Sequence, residues 1–261
     1  MKSLPLPEAL PAHFLPVLLV PGLMCDHTVW EPLLPWIGQQ HHCTVVDHAG
    51  ADSLPQMARQ MLASAPPAFL LAGHSMGARV VLEAVRLAPD RVRGVALLDT
   101  GHLPRPAGQA GEDEAAKRFA LLQVAQTQGV RAMAQQWVRG MVHPDRLGDA
   151  ELIERIVAMF ERKSADIFAC QIQALLSRPD GSDVLRTLTV PTLLMCGAQD
   201  AWSPPAQHQA MHSLAPEGLA TLDLIEQAGH MAPMEQPEQV AASLLRWLAR
   251  CVAFETDAQV V

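Results

Sequence analysis

The chain has 261 residues, of which 49% are hydrophobic and 18% charged, with a formal net charge of −8 and no tyrosine. This composition is typical of a folded globular protein and excludes a disordered chain, which needs low hydrophobicity and a high charge density. The acidic balance argues against a nucleic-acid surface, and no apolar run approaches the length of about 18 residues that a membrane span needs.

The cysteines indicate free thiols. They are odd in number and widely spaced, without a C-x-x-C pair or a Cys/His cluster that could hold a metal: Cys25, Cys43, Cys170, Cys196 and Cys251. At the amino terminus, prolines at positions 5, 7 and 11 interrupt any signal-peptide core. We therefore expect a cytoplasmic protein that binds a small molecule, and the sequence leaves a monomer or a homodimer open.

Short apolar runs alternate with helical patterns from Val17 onward, which predicts a parallel sheet with crossover helices, an α/β fold. The strands predicted in the first half are Val17–Val20, Cys43–Asp47, Phe69–Ala72 and Val92–Asp99. The helices predicted between them are Glu31–Gln40, Ser53–Ser64 and Ala78–Leu87.

The strand signal disappears between about His102 and Arg186. Amphipathic helices are predicted there near Glu112–Thr127, Val130–Val142, Asp149–Arg162 and Ser164–Leu176. The sheet pattern then resumes with strands Val190–Cys196 and Ala220–Ile225, helices Pro204–Leu214 and Pro237–Val252, and a frayed tail after Phe254. We expect a core of residues 1–101 and 187–261, interrupted by an all-helical cap at 102–186 that we call the helical insertion.

The segment Gly73-His74-Ser75-Met76-Gly77 matches G-x-S-x-G, a pattern that exposes a serine oxygen on a sharp strand-to-helix turn. The pattern alone is common in proteins of this length. Its position between an apolar run and a helical pattern is the context that the motif requires. Ser75 is therefore the candidate nucleophile.

A serine nucleophile needs a base, and the base needs an orienting carboxylate. His230 follows the last predicted strand and is the candidate base. Asp200, just beyond the preceding strand, is the candidate acid, with Asp99 at the end of its own strand as the rival. Asp200 is favoured because the chain order Ser, Asp, His is usual for this turn.

Several segments together resemble the α/β-hydrolase family with a helical cap, from about Val17 to Leu248. They are Pro21-Gly22-Leu23 with Pro where His is usual, Asp47/Gly50/Ser53 with Asp52 replacing a glycine, Gly73–Gly77, Gly197–Asp200, and Gly229-His230 followed by Glu235 and Pro237. The resemblance implies an oxyanion hole made by the backbone N–H groups of Leu23 and Met76. It implies no metal and no organic cofactor.

Further residues are candidates for substrate contact: His27, Trp137, Trp202 and Met231. Arg79 lies on the predicted helix that follows Ser75, where we expect a structural ion pair, with substrate contact as the alternative. Within the family that the chain resembles, epoxide hydrolases use cap tyrosines and an Asp nucleophile, and dehalogenases also use an Asp nucleophile. The absence of tyrosine and the serine at the turn therefore exclude both classes of enzyme.

These residues predict a serine esterase acting on a small or medium-sized, largely apolar carboxylic ester. The open alternatives are a C–C bond hydrolase of ring-cleavage products, an amidase or perhydrolase, and a non-catalytic ligand receptor on the same fold.

Overall fold

The computed structural model describes residues 15–39 and 41–260, and within them six strands form one sheet. The strands are β1 (Val17–Val20), β2 (Cys43–Val45), β3 (Phe69–His74), β4 (Val92–Leu98), β5 (Thr192–Gly197) and β6 (Ala220–Ile225). Every pairing is parallel, in the spatial order β2-β1-β3-β4-β5-β6. The central strands are continuous apolar runs because helices cover both faces of the sheet.

The helices follow the strands in a regular alternation until β4. They are α1 (Leu34–Ile37), α2 (Leu54–Ser64), α3 (Met76–Leu87), α4 (Gln109–Gln128), α5 (Val130–Trp137), α6 (Ala150–Glu161), α7 (Ala165–Leu176), α8 (Ser182–Arg186), α9 (Pro205–Leu214), α10 (Ala232–Glu235) and α11 (Pro237–Val260). Helices α4 to α8 lie between β4 and β5 and make up the helical insertion. Gly129, with φ of 92°, separates α4 from α5 in a conformation that favours glycine.

Three predicted helices differ from the structure. The segment Glu31–Gln40, whose last residue lies outside the described residues, is a 3-10 turn followed by the one-turn helix α1, because two prolines remove backbone N–H donors. The helix predicted to reach Val142 ends at Trp137, and the chain then leaves the helix to contact the loop around His230. The tail predicted to fray continues as helix α11 to Val260.

The strand order places one feature of functional interest at the carboxyl edge of the sheet. From β1 the chain moves outward to β2 and then returns to the other side of β1 to form β3. The loops after β1 and β3 therefore diverge, which leaves a crevice of the kind in which α/β proteins bind ligands. Leu23 follows β1 and Ser75 follows β3, so both lie at this crevice.

Two further observations concern the cysteines and the helices of the chain. The five cysteines are free thiols. In the part of the chain that the structure describes, no helix combines the length and the apolar character needed to cross a membrane.

Candidate active site

Ser75 stands on the sharp turn between β3 and α3. Its backbone, with φ of 55° and ψ of −118°, lies in a region that costs a non-glycine residue about 1–3 kcal/mol. Neighbours hold it there, since its N–H donates to the Leu98 carbonyl at 2.8 Å and its carbonyl accepts from the Thr100 hydroxyl at 2.9 Å. The turn presents the serine hydroxyl at the carboxyl edge of the sheet.

The glycines on either side of Ser75 are required by close backbone contacts. A Cβ atom at Gly73 would lie 2.5 Å from the Cα atom of Ala78, so α3 could not turn back against β3. A Cβ atom at Gly77 would overlap the Val20 carbonyl oxygen at the end of β1. The G-x-S-x-G pattern therefore reflects how tightly α3 packs on β1 and β3.

A chain of hydrogen bonds joins Ser75, His230 and Asp200. Ser75 Oγ lies 2.8 Å from His230 Nε2, and His230 Nδ1 lies 2.8 Å from Asp200 Oδ2. The other Asp200 oxygen accepts from the backbone N–H groups of Trp202 and Ser203 at 2.8 and 2.9 Å. A carboxylate beside Nδ1 keeps the proton of a neutral imidazole on that nitrogen, so Nε2 is free to accept the serine proton.

Asp200 is ionised at neutral pH in spite of its burial. Burial of the fully covered side chain disfavours the charged form. The charge and hydrogen bond of His230, together with the two backbone N–H donors, outweigh that cost and lower the pKa of Asp200 to about 2. The site therefore holds a negative charge next to the imidazole.

Asp99, the rival acid, has a different environment. Its Oδ1 accepts from the Gly197 N–H at 2.9 Å, and its Oδ2 lies 3.8 Å from His74 Nε2. Burial, followed by repulsion from Asp200, raises the pKa of Asp99 well above its ordinary value. Of the two acids considered from the sequence, the structure brings Asp200 to the His230 ring.

The loop after β1 brings the backbone of Leu23 to the same cavity as Met76. Within the residues that the structure describes, neither N–H group has a hydrogen-bond acceptor. Met76 begins α3, where an N–H has no partner inside the helix. Gln171, a buried residue of α7, fixes the loop by accepting from the Met24 N–H at 2.8 Å. The sequence did not reveal Gln171, since a single glutamine in an amphipathic helix forms no motif.

The buried carboxylate of Glu235 shapes the loop that carries His230. It accepts from the backbone N–H groups of Gly229 at 2.9 Å and Met231 at 3.2 Å, and its second oxygen accepts from His143 in the helical insertion at 2.6 Å. The N–H of His230 itself donates to the Met141 carbonyl at 2.6 Å. Backbone contacts thus tie the loop of the candidate base to the insertion.

A cavity of about 800 Å³ opens above Ser75. Part of its wall is aromatic: the Trp137 and Trp202 rings stack at 5.5 Å between centroids, and the Trp202 ring lies 4.9 Å from that of His230. Met231 lines the cavity as well, so three of the four proposed contact residues are found there: Trp137, Trp202 and Met231. The wall of the cavity beside His230 is therefore aromatic and largely apolar.

The fourth proposed contact residue, His27, lies outside this cavity. Its side chain is 66% exposed, and its Nδ1 atom lies 3.6 Å from Asp26 Oδ1. Asp26 caps the short 3-10 turn that begins at His27 and also binds Arg162 of the insertion, at 2.7 Å. This cap turns His27 towards solvent.

The cavity also has a charged part, which the sequence did not predict. We call it the charged wall, and it consists of Arg79, Asp113, Glu114, Lys117, Arg118 and Arg178. Arg178 donates to both oxygens of Glu114 at 2.6 and 2.8 Å, and Arg118 donates to the same carboxylate at 3.0 and 3.1 Å. Arg79 was expected to form an ion pair. Instead it donates to the Leu103 carbonyl at 2.9 Å, and among the described residues no carboxylate pairs with it.

The geometry has a clear chemical capacity. A serine hydroxyl bonded to an imidazole, which is bonded in turn to a buried carboxylate, is an arrangement that activates serine as a nucleophile. Among the described residues, no group of three or more His, Cys, Asp or Glu side chains is placed to hold a metal ion.

Known proteins share this architecture and, more distantly, the sequence. A pimeloyl-[acyl-carrier protein] methyl ester esterase of Aliivibrio salmonicida is 23% identical over 89% of this chain and 91% of its own. A 2-succinyl-6-hydroxy-2,4-cyclohexadiene-1-carboxylate synthase of Salmonella arizonae is 26% identical over 87% of this chain and 91% of its own. The structure of a thermophilic esterase from Thermogutta terrifontis superposes with a TM-score of 0.78 at 26% identity, covering 91% of this chain and 90% of the esterase.

The profile of one family spans nearly the whole described chain. The Alpha/beta hydrolase family matches residues 17–243, from the first strand into the last helix. Two of the three proteins just described are named as esterases. The chain therefore belongs to the alpha/beta hydrolase family.

Proposed function

We propose that the protein is a serine hydrolase that cleaves a carboxylic ester of small or medium size beneath a helical cap. The observation that carries the proposal is the unbroken hydrogen-bond chain from Ser75 Oγ through His230 to Asp200, with both distances at 2.8 Å, on the floor of a cavity. Relatives named as esterases support the choice of an ester bond.

In the proposed reaction, Ser75 Oγ attacks the ester carbonyl carbon while His230 Nε2 takes the hydroxyl proton. The N–H groups of Leu23 and Met76 stabilise the negative oxygen of the tetrahedral intermediate, and Asp200 stabilises the imidazolium. The C–O bond then breaks, and His230 gives its proton to the leaving alcohol. Water, deprotonated by His230, attacks the acyl-enzyme, and collapse of the second intermediate releases the acid and returns a proton to Ser75.

The cavity narrows the substrate class. The helical insertion covers the site, which favours a small or medium-sized molecule because a polymer needs an open cleft. The aromatic wall beside His230 suits an apolar acyl or alcohol group.

A second candidate reaction is hydrolysis of a C–C bond next to a carbonyl group. That reaction needs polar groups that hold the carboxylate of a ring-cleavage product, and the arginines of the charged wall are such groups. A substrate panel of esters, amides, peracid-forming mixtures and vinylogous diketones separates these activities.

The proposal is tested by Ser75→Ala with Ser213→Ala, an exposed helical serine, as the matched control. We expect Ser75→Ala to lose at least about 10³-fold in kcat on 4-nitrophenyl butyrate and the control to retain it. Retained turnover by Ser75→Ala excludes the mechanism. Covalent labelling of Ser75 by a fluorophosphonate probe, read by mass spectrometry, separates an enzyme from a non-catalytic receptor, in which no label is expected.

A further inference from the structure

Arg79 lies one helical turn beyond Ser75 at the start of α3. Ser75 caps α3 in a non-helical conformation, and the rise of a helix separates residues four apart by about 6 Å along the axis. Both Ser75 and Arg79 line the same cavity. A short substrate can therefore contact both residues.

The charged wall contains more positive than negative charge, although the whole chain is acidic. Its four cations face two carboxylates, Asp113 and Glu114, in a protein with a formal net charge of −8. Glu114 is already shared by Arg118 and Arg178, whose side chains are 25% and 9% exposed. Among the described residues no carboxylate lies within ion-pair distance of Arg79, and the charges of Glu114 and Asp180 act on it only from further away.

Two guanidinium groups meet at one neutral acceptor. The Leu103 carbonyl accepts from Arg79 at 2.9 Å and from Arg178 Nε at 3.3 Å. Burial, and then repulsion from Arg178, lower the pKa of Arg79 to about 9, which leaves the group charged at neutral pH. A purely structural arginine pair is normally accompanied by enough carboxylates to balance it, because uncompensated buried charge is costly.

Gly101 and Gln207 lie beside Arg79 in the cavity, and a Cβ atom at Gly101 would overlap Gln207 Oε1 and lie 3.3 Å from Arg79 Nη2. Arg79 Nη1 donates to the Leu103 carbonyl, whereas among the described residues Nε and Nη2 have no hydrogen-bond acceptor. These two donors form the edge of the guanidinium that can donate two parallel hydrogen bonds to a planar anion.

We infer that the charged wall, with Arg79 at its centre, is a subsite for a carboxylate carried by the substrate a few bonds from the scissile carbonyl. The substrate class is then the half-ester of a short dicarboxylic acid. The reaction at the carbonyl rests on the proposed function, whereas binding of the carboxylate does not need Ser75. The subsite replaces the expectation of a largely apolar substrate with one that has an apolar part and an anionic end.

The kinetic test compares monomethyl glutarate with dimethyl glutarate, which differ in the charge at one end, by titrating the acid released. The wild type is expected to prefer the half-ester by at least about tenfold in kcat/KM. Arg79→Gln is expected to reduce that preference by about tenfold, so that the two esters are used about equally, in line with the loss of a charge-assisted hydrogen-bond pair. Arg59→Gln, which removes the same charge from an exposed position on α2, is expected to keep the wild-type preference.

The binding test uses the glutarate dianion and isothermal calorimetry, with Ser75→Ala as the parent so that no turnover occurs. The parent is expected to bind glutarate, and Ser75→Ala with Arg79→Gln is expected to bind it at least about tenfold more weakly. If the second change prevents folding, Arg79→Lys keeps the charge but not the planar fork, and intermediate binding is expected. Absence of glutarate binding together with equal use of the two esters overturns the subsite and leaves ester hydrolysis standing. Binding without hydrolysis of either ester keeps the subsite and rejects the ester reaction.

Discussion

Replacing Asp200 by Asn removes the negative charge beside His230 while preserving the size of the side chain. The backbone N–H groups of Trp202 and Ser203 point at Asp200 Oδ1, so an Asn side chain keeps its oxygen there and turns its NH₂ group towards His230 Nδ1. The amide then donates to Nδ1, and the imidazole proton moves to Nε2. In that tautomer His230 cannot accept the Ser75 proton.

The magnitude follows from the buried geometry. At a charge separation of about 4 Å and an effective dielectric constant of about 20, the carboxylate stabilises the imidazolium by roughly 4 kcal/mol, or about 10³ in kcat. The wrong tautomer adds a further factor of about ten, since the corresponding change in a serine protease costs about 10⁴ in kcat. We therefore expect Asp200→Asn to lose about 10³–10⁴ in kcat.

Asp99→Asn is the matched control. Burial, followed by repulsion from Asp200, raises the pKa of Asp99. An amide has nearly the same shape as the carboxyl group that it replaces. Its oxygen can still accept from the Gly197 N–H. We expect less than about a tenfold loss of kcat.

The assay measures kcat on 4-nitrophenyl butyrate for both variants, after circular dichroism and thermal melting have established that each is folded. A larger loss in Asp99→Asn than in Asp200→Asn refutes the assignment of the acid. Losses of equal size show that both carboxyls are needed, and the tautomer argument is then wrong.

Three further changes probe the site and its supports. A glutamine at position 235 has a single oxygen for the three backbone donors that Glu235 accepts from, so Glu235→Gln is expected to lower kcat/KM by about tenfold. Unchanged kinetics would contradict a role of Glu235 in holding the loop of the base. Gly77→Ala should lower the free energy of unfolding by more than about 3 kcal/mol, or prevent folding, because the added Cβ atom overlaps the backbone of β1. Gly148 has open space around it, so Gly148→Ala should change the free energy of unfolding, measured in urea, by less than about 0.5 kcal/mol. The pKa of Asp200 is about 2 in the folded protein and about 3.9 in the unfolded chain, so the ionised group stabilises the fold above about pH 3.9 and this contribution is lost as the pH falls through about 2. The difference in free energy of unfolding between wild type and Asp200→Asn should therefore narrow by about 2 kcal/mol between pH 5 and pH 2. A difference that stays constant over this range contradicts the low pKa.

Much of the fold could be predicted because its determinants are local. Runs such as Phe69–Ala72 are apolar throughout, and buried parallel strands need that composition. One of the failures arose where tertiary contacts decide the conformation. The chain after Trp137 leaves a helix that its own sequence would continue, because the segment that follows contacts the loop of His230.

Some residues of the candidate site could be predicted from local patterns, whereas others depend on tertiary contacts. Ser75, Asp200 and His230 could be proposed from motifs because each follows a strand at the same edge of the sheet. Arg79 was assigned an ion pair, since the sequence shows the charge but not the partners that surround it. The charged wall has more arginines than carboxylates because α3 packs close to residues 114–178 of the insertion. No local sequence pattern predicts that contact between distant segments.

The hydrogen bond from the His230 N–H to the Met141 carbonyl has a consequence for how such enzymes can be recombined. The bond joins two backbones, so it constrains the path of the chain without involving the side chain of Met141, which is buried and lines the cavity. An insertion transplanted from a relative will keep this contact with the loop of the base if its backbone passes the same point. An insertion of higher sequence identity that follows another path will leave the His230 loop without this contact. In chimaeras of this protein, backbone geometry at residues 141–143 is therefore a better guide to retained activity than sequence identity of the exchanged segment.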